Sequence, residues 1–210
     1  MVAPGDTNAR VARITLIRGA DLVAAPWKNG GGVTREVAAV PPGAGLEAFV
    51  WRVSIADVAQ AGPFSRFPGI DRTLVLLSGA GMLLDETLEA GGTQVYALTQ
   101  TLDVARFRGE AAIDARLVDG ATRDFNLMVR RDAASGVLER WRVEGSTGQR
   151  SLSADTVLLF CAAGSVEVTL GDAAGVTLTS DDTLCIEAPD ALACAVAGQG
   201  VLLAISIRYA

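Results

Sequence analysis

Short apolar runs, each about the length of a β-strand and each closed by glycine, recur along this chain, and no long amphipathic helical pattern interrupts them. Thr73–Leu77 ends in Ser78-Gly79-Ala80-Gly81, and Thr156–Phe160 is followed by Gly164. Strands at such spacing bury their apolar faces in a sandwich or a barrel, so the chain reads as all-β. The expected N-terminal strands are Arg10–Arg18, Val33–Val40, Phe49–Ala56, Thr73–Leu77, Met82–Asp85, Thr101–Phe107, Ile113–Val118 and Asp124–Val129. The C-terminal ones are Thr156–Phe160, Val166–Leu170, Val176–Thr179, part of Asp181–Pro189, and Val201–Tyr209. Residues 1–9 read as a loose tail. Pro41–Gly45, Gly91-Gly92 and Arg108-Gly109-Glu110 read as turns. Ala61–Gly69 reads as a loop pinned by Phe64 and Phe67. Ser135–Gly148 is the expected junction, with Gly136–Trp141 as a short helix or another strand.

Composition removes several function classes. Half of the 210 residues are hydrophobic and 20% are charged, which describes a globular chain with a real core. The net charge of −6 without a basic run argues against nucleic acid as a partner. No apolar stretch is long enough to span a membrane, and no signal peptide opens the chain. Cys161, Cys185 and Cys194 form no close-spaced pair and sit in apolar surroundings, so they read as buried free thiols in a cytoplasmic protein.

The stretch from Pro26 to Glu36, Pro-Trp-Lys-Asn-Gly-Gly-Gly-Val-Thr-Arg-Glu, is the hardest to explain as scaffold. Three consecutive glycines cost backbone entropy and suit positive φ or close approach. Lys28 is the chain's only lysine. The spacing fits neither a phosphate loop nor a dinucleotide fingerprint. A tight turn with a packed tryptophan and a ligand-covering loop are both compatible with these residues.

Four segments together resemble one known family. They are Pro26–Glu36, Trp51–Ala56, Gly62–Arg72 and Arg123–Arg131, in that order. They are similar to the HutD/Ves family of the cupin superfamily, with motif-level detail over residues 10 to 131. The resemblance implies a bicupin, two small cupin-type β-barrels with little helix. Residues 1–131 would form the N-terminal barrel carrying the pocket, and 132–210 a mainly structural C-terminal one. It also implies an accessory or regulatory role in histidine utilisation, with a pathway metabolite as ligand.

Read from its residues, the chain lacks much of the usual chemistry. It contains no histidine. The imidazole cluster of a metal-dependent cupin is therefore excluded, and no metal or other cofactor is expected. Histidine-based nucleophile arrangements and the G-x-S-x-G elbow are absent as well. What remains is a set of polar residues on strands. Phe49, Trp51, Val53 and Ile55 share one face of their strand, leaving Arg52 and Ser54 on the other. Asp124, Asn126 and Met128 alternate with Phe125, Leu127 and Val129. Arg35, grouped with Val33 and Val37, and Arg72 both point toward apolar faces. A buried arginine needs a partner. Either Arg35 or Arg72 pairs internally with Asp71 or Asp124, or its fork receives a ligand carboxylate oriented by Asn29, Thr34, Ser54 or Asn126. The candidate ligand-binding residues are thus Lys28, Asn29, Thr34, Arg35, Arg52, Ser54, Phe64, Arg72, Asp124 and Asn126.

Three function classes follow. The favoured one is a non-catalytic protein that binds a small carboxylated metabolite, with a homodimer compatible with the chain. The second is a metal-free isomerase or hydrolase using Lys28, Glu36, Asp124 or a tyrosine. The third is a scaffold whose loops bind another protein.

Overall fold

Period-two alternation and glycine placement fold the chain into seventeen strands and one 3-10 turn, Gly19–Asp21, over residues 12–210, the part that this computed structural model describes. The tail expected over residues 1–9, and Arg10 and Val11 of the first expected strand, lie outside the described residues. In chain order, β1 (Arg13–Ile17) is followed by β2 (Ala24–Pro26), β3 (Gly32–Val40), β4 (Trp51–Val58), the two-residue β5 (Gly62–Pro63) and β6 (Ile70–Ser78). Then come β7 (Met82–Thr87), β8 (Thr93–Leu98), β9 (Val104–Arg108), β10 (Ala112–Leu117) and β11 (Thr122–Arg130). The C-terminal strands are β12 (Ala134–Ser146), β13 (Arg150–Leu152), β14 (Thr156–Leu170), β15 (Val176–Thr179), β16 (Thr183–Glu187) and β17 (Leu192–Tyr209). The all-β expectation holds.

Two compact units emerge. One comprises Gly19–Gly136 with Tyr209–Ala210, and the other the described residues up to Arg18 with Val137–Arg208. The division expected between residues 131 and 132 therefore misses the first strand. β1 pairs with β16, setting Thr15 opposite Cys185, because its partners were made at the far end of the chain.

In the unit built on Gly19–Gly136, one sheet runs β2-β3-β4-β11-β6-β9 and a second runs β5-β10-β7-β8. Their inner faces share one core. Ala56, Val58, Leu74, Leu76, Ala105 and Phe107 from the first sheet meet Met82, Leu84, Leu98, Ile113 and Ala115 from the second. Each large aliphatic side chain so buried stabilises the fold by roughly 1.5–3 kcal/mol. Gly81, at φ +104°, lets the β6–β7 turn pass close to β8, since a Cβ there would stand 2.1 Å from the Leu98 carbonyl oxygen.

The other unit is a seven-stranded sheet, ordered β1-β16-β14-β17-β12, with β13 beside β17 and β15 beside β14. Its core is apolar, built from residues such as Trp141, Leu159, Val168, Leu184, Val196 and Leu202. Here the glycines mislead a linear reading. The runs Thr156–Phe160 and Val166–Leu170 form one strand, β14, bulged between Cys161 and Ala163. Gly164 marks no turn. It lets β14 lie against β17, where a Cβ would come 2.1 Å from the Gln199 carbonyl oxygen. For the same reason β17 begins at Leu192 and runs through Gly198 and Gly200. The junction segment is strand rather than helix, as β12. The strand β8 has no counterpart in the sequence reading, because its first three residues are exposed and show no apolar alternation.

Candidate ligand-binding site

β4, β11 and β6 lie side by side in the six-stranded sheet, so their inward residues form cross-strand rows. Ser54 stands opposite Asn126, and Asn126 opposite Leu74. Ala56, Asp124 and Leu76 form the next row, and Arg52, Met128 and Arg72 the row on the other side. Strict alternation therefore sends Arg52, Ser54, Arg72, Asp124 and Asn126 to one face, the face that looks toward the second sheet. All five are at least nine-tenths buried: Arg52 is 9% exposed, Ser54 1%, Arg72 7%, Asp124 2% and Asn126 8%.

Arg52 is satisfied within the protein. Its Nε donates to Glu36 Oε2 at 2.8 Å, and its Nη1 to Ser54 Oγ at 3.1 Å. Arg72 is not. Its Nε has no hydrogen-bond partner, and none of the ion pairs among the described residues includes it. Three phenylalanine rings, Phe64, Phe67 and Phe107, surround its guanidinium at 5.3, 5.6 and 5.1 Å from their centroids. Such rings attract the faces of a guanidinium and leave its in-plane N–H donors unused. Asn126 Oδ1 is likewise without a donor. Asp124 accepts no hydrogen bond among the described residues, although the Arg72 charge acts on it. Burial pushes the Asp124 carboxyl up to about 7, against the downward pull of Arg72 and with a further push from Asp57. Burial likewise lowers Arg72 to about 10, with Asp124 opposing and Arg52 adding to the fall.

The aromatic wall follows from local chain geometry. Phe107 is the cross-strand neighbour of Arg72 on β9. Phe64 and Phe67 belong to the loop after β5 and are both tucked inward, as the sequence indicated. The loop is held by Phe64 N donating to Ile113 O at 2.9 Å and Phe67 N to Gly109 O at 2.7 Å. Across from this group, on the inner face of the four-stranded sheet, Tyr96 donates to Glu86 Oε2 at 2.7 Å and packs 6.0 Å from Phe107. Burial first, then the Glu86 contact, raises the Tyr96 phenol to about 12.

Of the remaining expected site residues, Lys28, Asn29 and Arg35 lie elsewhere. Arg35 is on the opposite face of β3, where its Nη1 donates to Asp57 Oδ2, and Arg123 Nε lies 3.7 Å from Asp57 Oδ1. The register of β3 shifts between Glu36 and Ala38, so Val37 changes phase and the grouping of Val33, Arg35 and Val37 on one face fails. Asp71 pairs with Arg131 at 2.8 Å, not with Arg35 or Arg72. Thr34 does share the inner face, but its hydroxyl accepts from Trp27 Nε1 at 2.7 Å.

The glycine run is a self-contained hairpin tip between β2 and β3. Gly30 N donates to Trp27 O at 3.0 Å and Gly31 N to Asn29 Oδ1 at 3.0 Å, so these amides are already used. Lys28 and Asn29 are exposed there. Gly32 stands opposite Val58, six residues along β4 from Arg52. At about 3.3 Å per residue, the loop lies roughly 20 Å from the arginine row, too far to cover anything bound at Arg72.

Sequence reasoning missed Phe107 and the Tyr96–Glu86 pair as neighbours of this site, and placed Glu36 only among catalytic alternatives. Alternation in Val104–Arg108, which buries Ala105 and Phe107, was the available signal for Phe107. The donor set does not fit a transition metal. The chain offers no imidazole, and Arg52 and Arg72 place two cations on the face a metal would have to share.

The HutD family model matches residues 19–204. A 21.2 kDa protein of the hutC 3′ region of Pseudomonas putida is 37% identical over 182 residues, covering 87% of this chain and 91% of that protein. Protein Ves of Citrobacter koseri is 39% identical over 110 residues, and the match spans about half of each protein, 50% and 52%. Among solved structures, HutD from Pseudomonas fluorescens SBW25 superposes with a TM-score of 0.80 at 35% identity, covering 94% and 100% of the two chains. A conserved protein of unknown function from Pseudomonas aeruginosa PAO1 gives 0.83 at 32% identity, covering 93% and 99%. An oxalate decarboxylase from Lactobacillus farciminis shares the fold alone, with a TM-score of 0.65 at 8% identity over 92% of this chain and 85% of that one. Matched by the family model from residue 19 to 204 and by relatives over most of its length, the chain belongs to the HutD family.

Proposed function

We propose that this protein binds one small carboxylate-bearing metabolite between the two sheets of its Gly19–Gly136 unit, without turning it over, as an accessory or regulatory protein of histidine utilisation. The observation that carries this reading is Arg72, 7% exposed, ringed by three phenylalanines and without an ion-pair partner among the described residues. A buried cation without a counter-ion is costly, and a bound carboxylate supplies what is missing. A charge-assisted arginine–carboxylate contact contributes roughly 1.5–3 kcal/mol. The names of the HutD and hutC-region relatives support the pathway assignment. Two cupin-type barrels and a cytoplasmic setting complete the proposal, the latter on the three unpaired, buried cysteines.

Thermal-shift and calorimetric titration with urocanate, glutamate and formate, against succinate, tests it. At least one of the first three stabilises the protein and binds stoichiometrically, and Arg72→Ala abolishes the effect. Absence of binding by all of them sinks the proposal. A metal-free enzyme is the second reading, favoured by a carboxyl at Asp124 that titrates near 7. Loss of a bound ligand's own NMR signals during incubation with the protein selects that reading over simple binding.

A further inference from the structure

The inner face of the Gly19–Gly136 unit carries four acidic or phenolic groups, and three of them have partners. Glu36 accepts from Arg52 at 2.8 Å. Glu86 accepts from Tyr96 at 2.7 Å. Only Asp124 accepts nothing among the described residues, although it is 2% exposed and flanked in its row by the apolar Ala56 and Leu76. Two atoms nearby also lack partners, Arg72 Nε and Asn126 Oδ1. Asn126 is next but one to Asp124 on β11, and Arg72 is two rows away on β6. Asp124 and Arg72 are thus buried on neighbouring strands of one face and make no ion pair with each other, so each keeps hydrogen-bonding capacity that the protein does not use.

We propose that Asp124 is the second anchor of the site: it meets the ligand as a neutral carboxylic acid and donates its hydrogen to the anion's oxygen, so that each anion bound brings one proton with it. This deepens the carboxylate-site reading above and rests on it. The bond formed is an O–H···O⁻ hydrogen bond between Asp124 and the ligand, and no covalent bond changes. An ionised Asp124 would repel the anion that Arg72 attracts, whereas the acid form turns the same residue into a donor. The surroundings set the balance. Arg72 and Arg52 favour the ionised form, but Arg52 is engaged with Glu36. Burial and the negative charge of Asp57, acting from the opposite face, favour the acid and hold the free protein's carboxyl near 7. Glu86, on the facing sheet, adds negative charge on that side. A bound anion adds one more and pushes the titration higher still. The specificity that follows is for ligands offering an unprotonated oxygen: an amide or ester of the same acid lacks the charge that draws the proton in.

Calorimetry with formate, glutamate and urocanate in two buffers of different ionisation enthalpy counts the protons. At pH 8, where free Asp124 is ionised, binding takes up close to one proton per ligand. At pH 6 it takes up close to none, and above pH 7 the affinity falls toward tenfold per pH unit. Asp124→Asn keeps a hydrogen-bond donor at the same place, so it binds without proton uptake and without this pH dependence. An infrared difference spectrum of aspartate-13C-labelled wild-type protein, recorded on adding ligand at pH 8, gains a carboxylic-acid C=O band and needs no variant to fold. Binding with no proton uptake at pH 8, or without that band, overturns the role of Asp124 and leaves the Arg72 site standing. No binding by any of the three probes overturns the site itself and this role with it.

Discussion

The indole of Trp27 lies over Gly32: a Cβ on that glycine would stand 3.1 Å from the ring and 2.6 Å from the carbonyl oxygen of Asp57. Gly32 is thus fixed by packing, and the neighbour it would strike is backbone. Gly32→Ala is expected to destabilise the protein by about 1–3 kcal/mol, the usual cost of overpacking. Thermal unfolding measures it, at roughly 2–4 °C per kcal/mol for a domain of this size.

Arg72 and Arg35 separate binding from stability. Arg72→Met replaces a buried, unpaired cation by an apolar chain of similar length, so the free protein should be as stable as the parent or more so. Its carboxylate affinity should fall about 10- to 150-fold, since each 1.4 kcal/mol is a factor of ten. Arg35→Ala should do the reverse. It removes a partly exposed pair with Asp57 worth about 0–1 kcal/mol and leaves affinity within about twofold. Calorimetry paired with urea unfolding reads both. Equal affinity in Arg72→Met and the parent places the anchor elsewhere.

How much of this was legible in the sequence depends on which interaction fixed each residue. Arg52 could be grouped with Ser54, and Asp124 with Asn126, because alternation along an unbroken strand is a local rule. The grouping of Arg35 with Val37 fails because the bulge after Glu36 inserts a residue that no composition signal announces. The glycine run leaves a tight turn packed on Trp27 and a ligand-covering loop both open in the sequence, because glycine shows that backbone comes close to something, and not to what. At Gly32 that something is Trp27 and Asp57 of the same chain. Gly164 was read as a turn for the same reason, though its neighbour is the adjacent strand. Cross-strand neighbours such as Arg72 and Phe107 depend on register, which the linear sequence does not display.

Asp124 should also leave a mark on stability in the absence of ligand. Its folded midpoint of about 7 lies above the ~3.9 of an unfolded aspartate. Between those values the folded state keeps a proton that the unfolded state has lost. The contribution is fully present below about pH 4 and is lost as pH rises through 7. Asp85 and Glu110 act oppositely, since hydrogen bonds from Arg116 and Arg131 hold them below the ordinary carboxylate range. The difference in melting temperature between wild type and Asp124→Asn isolates the first effect. It should shift in favour of the variant from pH 5 to pH 8, and a flat difference contradicts the assignment.

The cysteines provide a check on the packing of the core. Burial pushes Cys161, Cys185 and Cys194 each up to about 11. The thiolate is the reactive form, so iodoacetamide at pH 7.5 should leave the native protein essentially unmodified over an hour. In urea all three should alkylate, which mass spectrometry counts directly. Rapid native labelling of any one of them places that thiol outside the core.

The pairing of β1 with β16 has a consequence for how the chain is made. Arg13 waits for Glu187, a separation of 187 − 13 = 174 residues. At roughly 5–20 residues per second on the ribosome, that interval is about 10–35 s. β1, made before the other described strands, therefore docks almost last, and the sheet it completes has no partner for it until β16 has left the exit tunnel. A fragment cut at the junction, however well chosen by sequence, would carry away a strand that belongs to the other half and leave that half with an uncovered β16 edge.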